Sequence, residues 1–106
     1  MTKLLMAAIA AALLASGPAF GGDAAAGKTK SKPCAACHGP DGNSVSPAFP
    51  RIAGQYYDYL VKALTRYKSG ERKNPLMSPQ AANLSRRDIE DLAAYFSQQT
   101  GLVSKY

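Results

Sequence analysis

The five residues from Cys34 to His38 carry the most specific chemistry in this sequence. They read CAACH, with two cysteines three positions apart and a histidine directly after the second. This spacing suits covalent haem attachment, because two thiols can add across the two vinyl groups of a porphyrin while the next imidazole reaches the iron. We therefore predict one haem c per chain, with Cys34 and Cys37 forming the thioethers and His38 binding the iron.

Three other uses of paired cysteines compete with this interpretation. A structural zinc site needs four ligands, and the chain offers three Cys and His side chains in total, all within one pentapeptide. A thioredoxin-like redox pair belongs to a strand-turn-helix unit, and the sequence shows no strand pattern. A simple disulfide would suit an oxidising compartment but leaves His38 without a role. Covalent haem remains the favoured chemistry.

Met77 is predicted by elimination to be the second iron ligand. His38 is the only histidine, and Met77 is the only methionine beyond the first six residues. Its loop contains Pro75 and Pro79, whose restricted backbone could hold a thioether in place. The alternative is that Met77 fills a gap in the core. An iron held by His and Met has no open coordination position, so it suits electron transfer rather than binding of oxygen or a substrate.

The loop after the motif supplies candidates for supporting roles. A ligating histidine usually donates its other ring N–H to a carbonyl, and both Pro47 and Pro50 could offer one. The residues alone do not decide between these two prolines. Four further side chains could contact the haem propionates or the Met sulfur: Arg51, Tyr56, Tyr67 and Asn74. Each could equally have an ordinary role, as a surface arginine, a core tyrosine or a loop amide.

The first 21 residues are typical of a secretory signal peptide. Lys3 precedes an apolar run over residues 4–15, and small and turn-forming residues follow. A helical run of that length covers about 18 Å, whereas a bilayer core is about 30 Å thick, which disfavours a membrane anchor. We expect cleavage after residue 21, with Ala19 and Gly21 at the small-residue positions, or alternatively near Ala24 and Ala26. The mature domain is then 22–106, in the periplasm.

Composition and charge narrow the class of protein further. The chain has 106 residues, 46% of them hydrophobic and 19% charged, so one folded domain is expected. Loss of the leader removes only Lys3, which leaves 12 basic and 7 acidic residues and a net charge of +5. Export and the lack of a binding motif argue against nucleic acid, so the charge indicates acidic protein partners or, equally, an ordinary solvated surface. The candidate docking cations are Lys28, Lys30, Lys32, Arg51, Arg66, Lys68, Arg72, Lys73, Arg86 and Arg87.

The elements that must position the motif are predicted to be all-α. A first helix is expected over residues 24–32, ended by Pro33, and a second over 55–68, ended by Gly70. Residues 39–54 and 69–84 are rich in Pro and Gly and predict loops. Ser85 and Asp88 form a capping-box pattern, and the apolar residues that follow predict a last helix that Gly101 can end.

Taken together, these segments resemble class I cytochromes c, in particular the bacterial c553 and cytochrome c4 type. The similarity covers GDAAAGK at 22–28, CAACHGPDGN at 34–43, SPAFPRIAGQ at 46–55, YKSGER at 67–72, NPLMSPQAANLS at 74–85 and DIEDLAAYF at 88–96. The resemblance implies a small all-α fold of three or more helices around one haem. It also implies that His38 and Met77 are axial ligands, and that the carbonyl beside His38 comes from Pro47. The first and last helices would cross, with Gly27 against Leu92 and Tyr95.

The functional expectation is a soluble periplasmic carrier of single electrons between respiratory redox partners, not an enzyme. Cytochromes c4 contain two such domains, whereas this chain has one motif, so a monohaem protein is expected. We also predict that it is a monomer. Its partners could include a membrane-bound oxidase or reductase. Two alternatives remain. One is a haem subunit of a larger dehydrogenase or oxidase, and the other is a ligand-binding haem protein, which would require Met77 to leave the iron.

Overall fold

A computed structural model describes residues 21–101 of the chain. Within that range it contains five α-helices and no strand: α1 Ala24–Lys30, α2 Lys32–His38, α3 Tyr57–Ser69, α4 Met77–Ala82 and α5 Arg86–Ser97. The all-α prediction is therefore confirmed for this part of the chain. No helix between residues 21 and 101 has both the length and the apolar character needed to cross a membrane. Nearly all of the predicted leader lies outside the described residues.

The region predicted as one helix ended by Pro33 is two helices. Helix α1 ends at Lys30, and Ser31 donates its hydroxyl to the Lys28 carbonyl at 2.7 Å. Pro33 lies in the first turn of α2 and so does not terminate a helix. Its missing N–H costs nothing there, because the first-turn donors have no partner within the helix. The CAACH motif consequently lies on a helix of its own.

The segment predicted as loop over residues 69–84 contains helix α4. Helix α3 does end before Gly70, which has a left-handed φ of 84° as expected for the residue after a helix C-terminus. Helix α4 then begins at Met77, and Pro79 occupies its first turn. The two prolines that indicated a loop are therefore compatible with a short helix, because the second stands where proline is tolerated.

Helix α5 begins as the sequence predicted but ends earlier. Ser85 Oγ accepts from the Asp88 N–H at 3.0 Å, and the Asp88 carboxylate accepts from the Ser85 N–H at 2.9 Å, which confirms the capping box. The helix stops at Ser97 rather than at Gly101. The Phe96 carbonyl instead accepts a hydrogen bond from the Gly54 N–H at 2.9 Å, which ties the central loop to the end of α5.

Helix α5 is the centre of the packing, with α1 and α3 against it and α4 against α3. The crossing with α1 is close at Gly27, where a Cβ would lie 2.0 Å from the Asp91 carbonyl oxygen and 2.8 Å from Tyr95 Cβ. The predicted approach of Gly27 to Tyr95 is confirmed. The other two nearest atoms belong to the Asp91 backbone rather than to Leu92. The buried cluster comprises Leu60, Leu92, Ala93, Tyr95 and Phe96.

Candidate functional site

Helix α2 presents the two cysteines of the motif on one short element. Cys34 and Cys37 are both free thiols and both half-buried. Cys34 packs against the buried cluster, and burial together with the neighbouring Cys37 raises the pKa of its thiol. Because the two side chains are one helical turn apart, they point to the same side of α2. This arrangement gives two thiols on one side of α2, with Cys34 at the edge of the apolar core.

His38 is the last residue of α2 and is buried. Its Nδ1 lies 2.8 Å from the backbone carbonyl oxygen of Pro50. A carbonyl can only accept, so Nδ1 carries the proton in this hydrogen bond and the lone pair of Nε2 remains available for a metal. The arrangement is that of an imidazole prepared to bind iron through Nε2.

The expectation that Pro47 supplies this carbonyl is wrong. Pro47 lies within a tight turn in which the Phe49 N–H donates to the Ser46 carbonyl at 3.2 Å. Pro50 follows that turn, two residues before Ile52. The N–H groups of Ile52 and Ala53 donate to the Gly42 carbonyl. These backbone bonds return the chain to the end of α2, so the second proline is the one beside His38.

The loop after the motif is also tied to α5. Gly39, with a φ of 85°, turns the chain out of α2 and donates its N–H to the Ala35 carbonyl. The next carbonyl, that of Pro40, accepts a hydrogen bond from the Tyr95 hydroxyl at 2.9 Å. Helix α5 therefore holds the segment directly after His38, while the Pro50 carbonyl holds the imidazole itself.

Met77 is half-buried at the first position of α4. Asn74 Oδ1 accepts from the N–H groups of Leu76 and Met77, each at 2.9 Å, and the Asn74 backbone exchanges hydrogen bonds with Ser78. Asn74, two residues before the N-cap Leu76, thus satisfies two backbone donors at the start of α4 and fixes the backbone of Met77. Its predicted place beside the haem or the Met sulfur stays a prediction, as does iron ligation by Met77.

The remaining three candidates make other contacts. The exposed Arg51 donates from Nε to the Ser44 carbonyl at 3.3 Å. Tyr56 is 54% exposed, immediately before α3. Tyr67 is half-buried, and the Arg72 guanidinium lies 4.8 Å from the centre of its ring. Contact of these side chains with haem propionates stays a prediction.

The apolar surroundings of the motif fit a haem. The buried cluster is small, and several hydrophobic side chains around it are only partly covered: Cys34, Ile52, Tyr57, Val61, Leu64 and Leu84. In a domain of this size such a core is marginal. A flat macrocycle attached at Cys34 and Cys37 would cover apolar surface that the polypeptide alone leaves partly exposed. The thiols, the imidazole and the unfinished core are thus compatible with the same group.

Sequence reasoning missed one buried ionic cluster that fixes α1 on α5. Asp91 is only 2% exposed and accepts from the Asp23 N–H at 2.9 Å and from Lys30 Nζ at 2.7 Å. Lys30 also lies 2.9 Å from Asp88. Asp91 directly follows Glu90 in a charged run at the start of α5, so the local sequence gave no signal that its side chain is buried.

The ionic contacts change the acidity of all three groups. Hydrogen bonds from Lys30 and from the Ser85 backbone lower the pKa of Asp88 to about 2. Burial works to raise the pKa of Asp91, but the hydrogen bonds from Lys30 and the Asp23 backbone outweigh it, so the pKa is lowered. The hydrogen bonds that Lys30 donates to Asp88 and Asp91 raise the pKa of its own ammonium. All three groups are therefore charged at neutral pH and bind α1 to α5.

Comparison with known proteins gives concordant matches. Residues 24–100 match the family model described as cytochrome c. The chain is 47% identical over 81 residues to cytochrome c-554(548) of Halomonas halodenitrificans, which covers 74% of this chain and 98% of that protein. It is 44% identical over 99 residues to cytochrome c4 of Pseudomonas aeruginosa, covering 93% of this chain and 49% of that one.

A solved structure agrees with the sequence matches. The structure of reduced recombinant cytochrome c4 from Pseudomonas stutzeri superposes with a TM-score of 0.72 at 47% identity, over 76% of this chain and 47% of that chain. This chain therefore spans about half the length of the cytochrome c4 relatives that it matches.

Proposed function

This chain belongs to the cytochrome c family, and from that premise we propose that it is a periplasmic electron-transfer protein, not an enzyme, that carries single electrons between respiratory redox partners. The predicted class I cytochrome c fold is confirmed by the structural match at a TM-score of 0.72. Its cofactor is the covalent haem c of the family, as the CAACH motif predicted. When bound, that group supplies reversible one-electron chemistry.

The observation that carries the proposal is the hydrogen bond from His38 Nδ1 to the Pro50 carbonyl at 2.8 Å. It fixes the tautomer and orientation of the imidazole directly beside two free thiols. In the proposal, Cys34 and Cys37 hold the haem through thioethers and His38 binds the iron through Nε2. A ligand held in this way keeps its position when the charge on the metal changes, which favours rapid electron transfer.

Met77 is proposed as the second axial ligand. Asn74 Oδ1 accepts from the N–H groups of Met77 and its neighbour Leu76, so the thioether projects from a defined position at the start of α4. A thioether is a soft ligand that raises the reduction potential, and a six-coordinate iron leaves no position for oxygen or substrate. This residue therefore decides between an electron carrier and a ligand-binding haem protein.

The positive charge is proposed to guide docking to acidic redox partners. Lys28 and Lys32 are exposed on α1 and α2, on either side of Ser31 and close in sequence to the haem-attachment motif. Lys30, by contrast, pairs with Asp88 and Asp91, so it contributes to stability rather than to docking. Redox encounters of this type are brief and use small interfaces, which is consistent with a monomeric carrier. The leader over residues 1–21 would direct the protein to the periplasm.

The proposal is tested with the haem-loaded protein purified from the periplasm and with Met77→Ala. For the unsubstituted protein we expect a far-red Met-iron absorption band in the oxidised form and no binding of carbon monoxide by the reduced form at neutral pH. Met77→Ala should lose the band and bind carbon monoxide. Carbon monoxide binding by the unsubstituted protein would favour a ligand-binding function, and a second chain that co-purifies stoichiometrically would favour a complex subunit.

A further inference from the structure

Residues 22 and 23 are built into the domain although they directly follow the predicted leader. A Cβ on Gly22 would lie 2.0 Å from the carbonyl oxygen of Glu90 in α5, so only glycine allows this approach. Gly22 is buried, and the following residue donates its N–H to the buried Asp91 carboxylate at 2.9 Å. The chain therefore packs across α5 before its first helix begins.

Asp23 links this segment to α1 as well. Its side chain accepts from the Ala25 N–H at 2.9 Å and the Ala26 N–H at 3.5 Å, which makes it the N-cap of the helix. Removal of Asp23 would leave α1 uncapped. It would also take one hydrogen-bond donor from the Asp91 carboxylate, which is only 2% exposed. Cleavage near Ala24 or Ala26 would thus remove the cap of α1 and this donor to Asp91, so both positions are disfavoured.

Glu90 lies beside the residue that would precede the mature chain. One carboxylate oxygen, Oε1, accepts from Arg86 Nε at 3.0 Å. The other, Oε2, is 3.1 Å from the position that a Cβ of Gly21 would occupy. The carboxylate is therefore within a few ångströms of the Gly21–Gly22 peptide bond, on a side chain that is only 21% exposed.

We infer that a signal peptidase hydrolyses the Gly21–Gly22 bond and that the new α-ammonium of Gly22 forms an ion pair with the Glu90 carboxylate. Water adds across the peptide bond, so the carboxylate stays on Gly21 with the leader and the amine, protonated at neutral pH, stays on Gly22. A neutral peptide group beside Glu90 is thereby replaced by a positive charge. Maturation would add an electrostatic contact between the first residue of the domain and α5. The inference rests on the proposed export but not on haem chemistry.

The cleavage position is tested by intact mass and N-terminal sequencing of the protein purified from the periplasm. The expected mature chain begins at Gly22. A start at any other residue, or an intact leader, contradicts the inference. The same mass spectrum reports haem attachment independently. A haem-free chain that starts at Gly22 would contradict the proposed function alone, and a haem-bearing chain that starts elsewhere would contradict this inference alone.

The ion pair is tested by comparing how much Glu90→Gln destabilises the protein when the α-ammonium is in place and when it has been moved away. Glu90→Gln is made in the mature chain and in a chain with Ala and Ser inserted after Gly21, which moves the ammonium away. The substitution should raise the unfolding equilibrium constant about 1.5- to 5-fold more in the mature chain than in the extended chain. This is the range expected for a partly exposed ion pair. Glu71→Gln, at a more exposed carboxylate that likewise pairs with an arginine, should act equally in both chains. An equal effect of Glu90→Gln in both chains would overturn the pair.

Discussion

At the scale of single residues, uncharged groups rather than charged side chains prepare the two proposed iron ligands. The Pro50 carbonyl holds His38 at 2.8 Å, and the Asn74 amide holds the backbone of Met77. Both groups are uncharged, so neither favours one oxidation state of an iron through a charge–charge interaction. The residues around the motif thus supply position, while the ligand atoms themselves set the affinity for the metal.

Replacement of Asn74 by alanine is expected to loosen Met77. The variant loses the acceptor for two backbone N–H groups, so the free energy of unfolding should fall by about 1 to 2 kcal/mol, and the far-red Met-iron band should weaken. Asn74→Asp keeps an acceptor oxygen and serves as the matched control. Urea unfolding and the absorption spectrum of the haem-loaded variants measure both effects. An Asn74→Ala variant with the stability and band of the unsubstituted protein would contradict this role.

The sequence identified which residues do chemistry better than it identified their neighbours. Cysteine and histidine spacing is a local property, so CAACH could be interpreted directly. The choice between Pro47 and Pro50 depends on a turn closed by Ser46 and Phe49 and on backbone bonds to Gly42, which no local pattern reveals. Asp91 was missed for the same reason, because its partners lie 61 and 68 residues away.

At the scale of elements, α4 is short and depends on contacts at both ends. Asn74 satisfies two backbone donors at its beginning, and Lys68 of α3 donates from Nζ to the carbonyls of Ala82 and Leu84 at its end. An isolated six-residue helix is not stable in water, so these tertiary contacts maintain it. The sequence pattern alone could not predict α4, because the prolines of this segment outweigh its helical propensity.

Removal of the Lys68 ammonium is expected to weaken the end of α4. Lys68→Met keeps most of the apolar stem but leaves two helix-end carbonyls without this donor, and the free energy of unfolding should fall by about 0.5 to 1.5 kcal/mol. Lys62→Met, an exposed lysine of the same helix, is the matched control and should change stability little. Chemical denaturation of the haem-loaded proteins compares them, and equal losses in the two variants would argue against the contact.

The junction between α1 and α5 is expected to weaken in acid. The pKa values of Asp88 and Asp91 are lowered in the fold, to about 2 for Asp88, so their stabilisation is complete above the ordinary carboxyl value near 4 and is lost as the pH falls below it. The stability difference between the unsubstituted protein and Lys30→Gln should therefore be constant from about pH 5 to 8 and shrink from about pH 4 downwards.

Denaturant midpoints over that pH range measure the difference. Lys62→Gln should show no such pH dependence relative to the unsubstituted protein. A Lys30→Gln difference that persists unchanged at pH 2.5 would contradict the assigned ion pairs.

At the scale of the whole molecule, the excess of basic residues is expected to accelerate encounters with acidic partners. The rate constant of electron transfer to an acidic redox protein should fall about tenfold between low and high salt, because screening removes long-range attraction. Lys32→Glu should slow the reaction more than Lys62→Glu, which makes the same charge change on α3. Stopped-flow kinetics over a series of ionic strengths measure the effect, and rates independent of salt would exclude electrostatic docking.

The central claim is that a haem is joined covalently to Cys34 and Cys37 and completes the core of this small helical domain. The most direct test is acid-acetone extraction of the protein purified from the periplasm, with Cys34→Ser/Cys37→Ser as the comparison. We predict that the pigment stays with the unsubstituted polypeptide and that its reduced form shows a sharp α band, while the double variant is haem-free and unstable. Pigment that passes into the solvent, or a stably folded double variant without haem, would contradict the account.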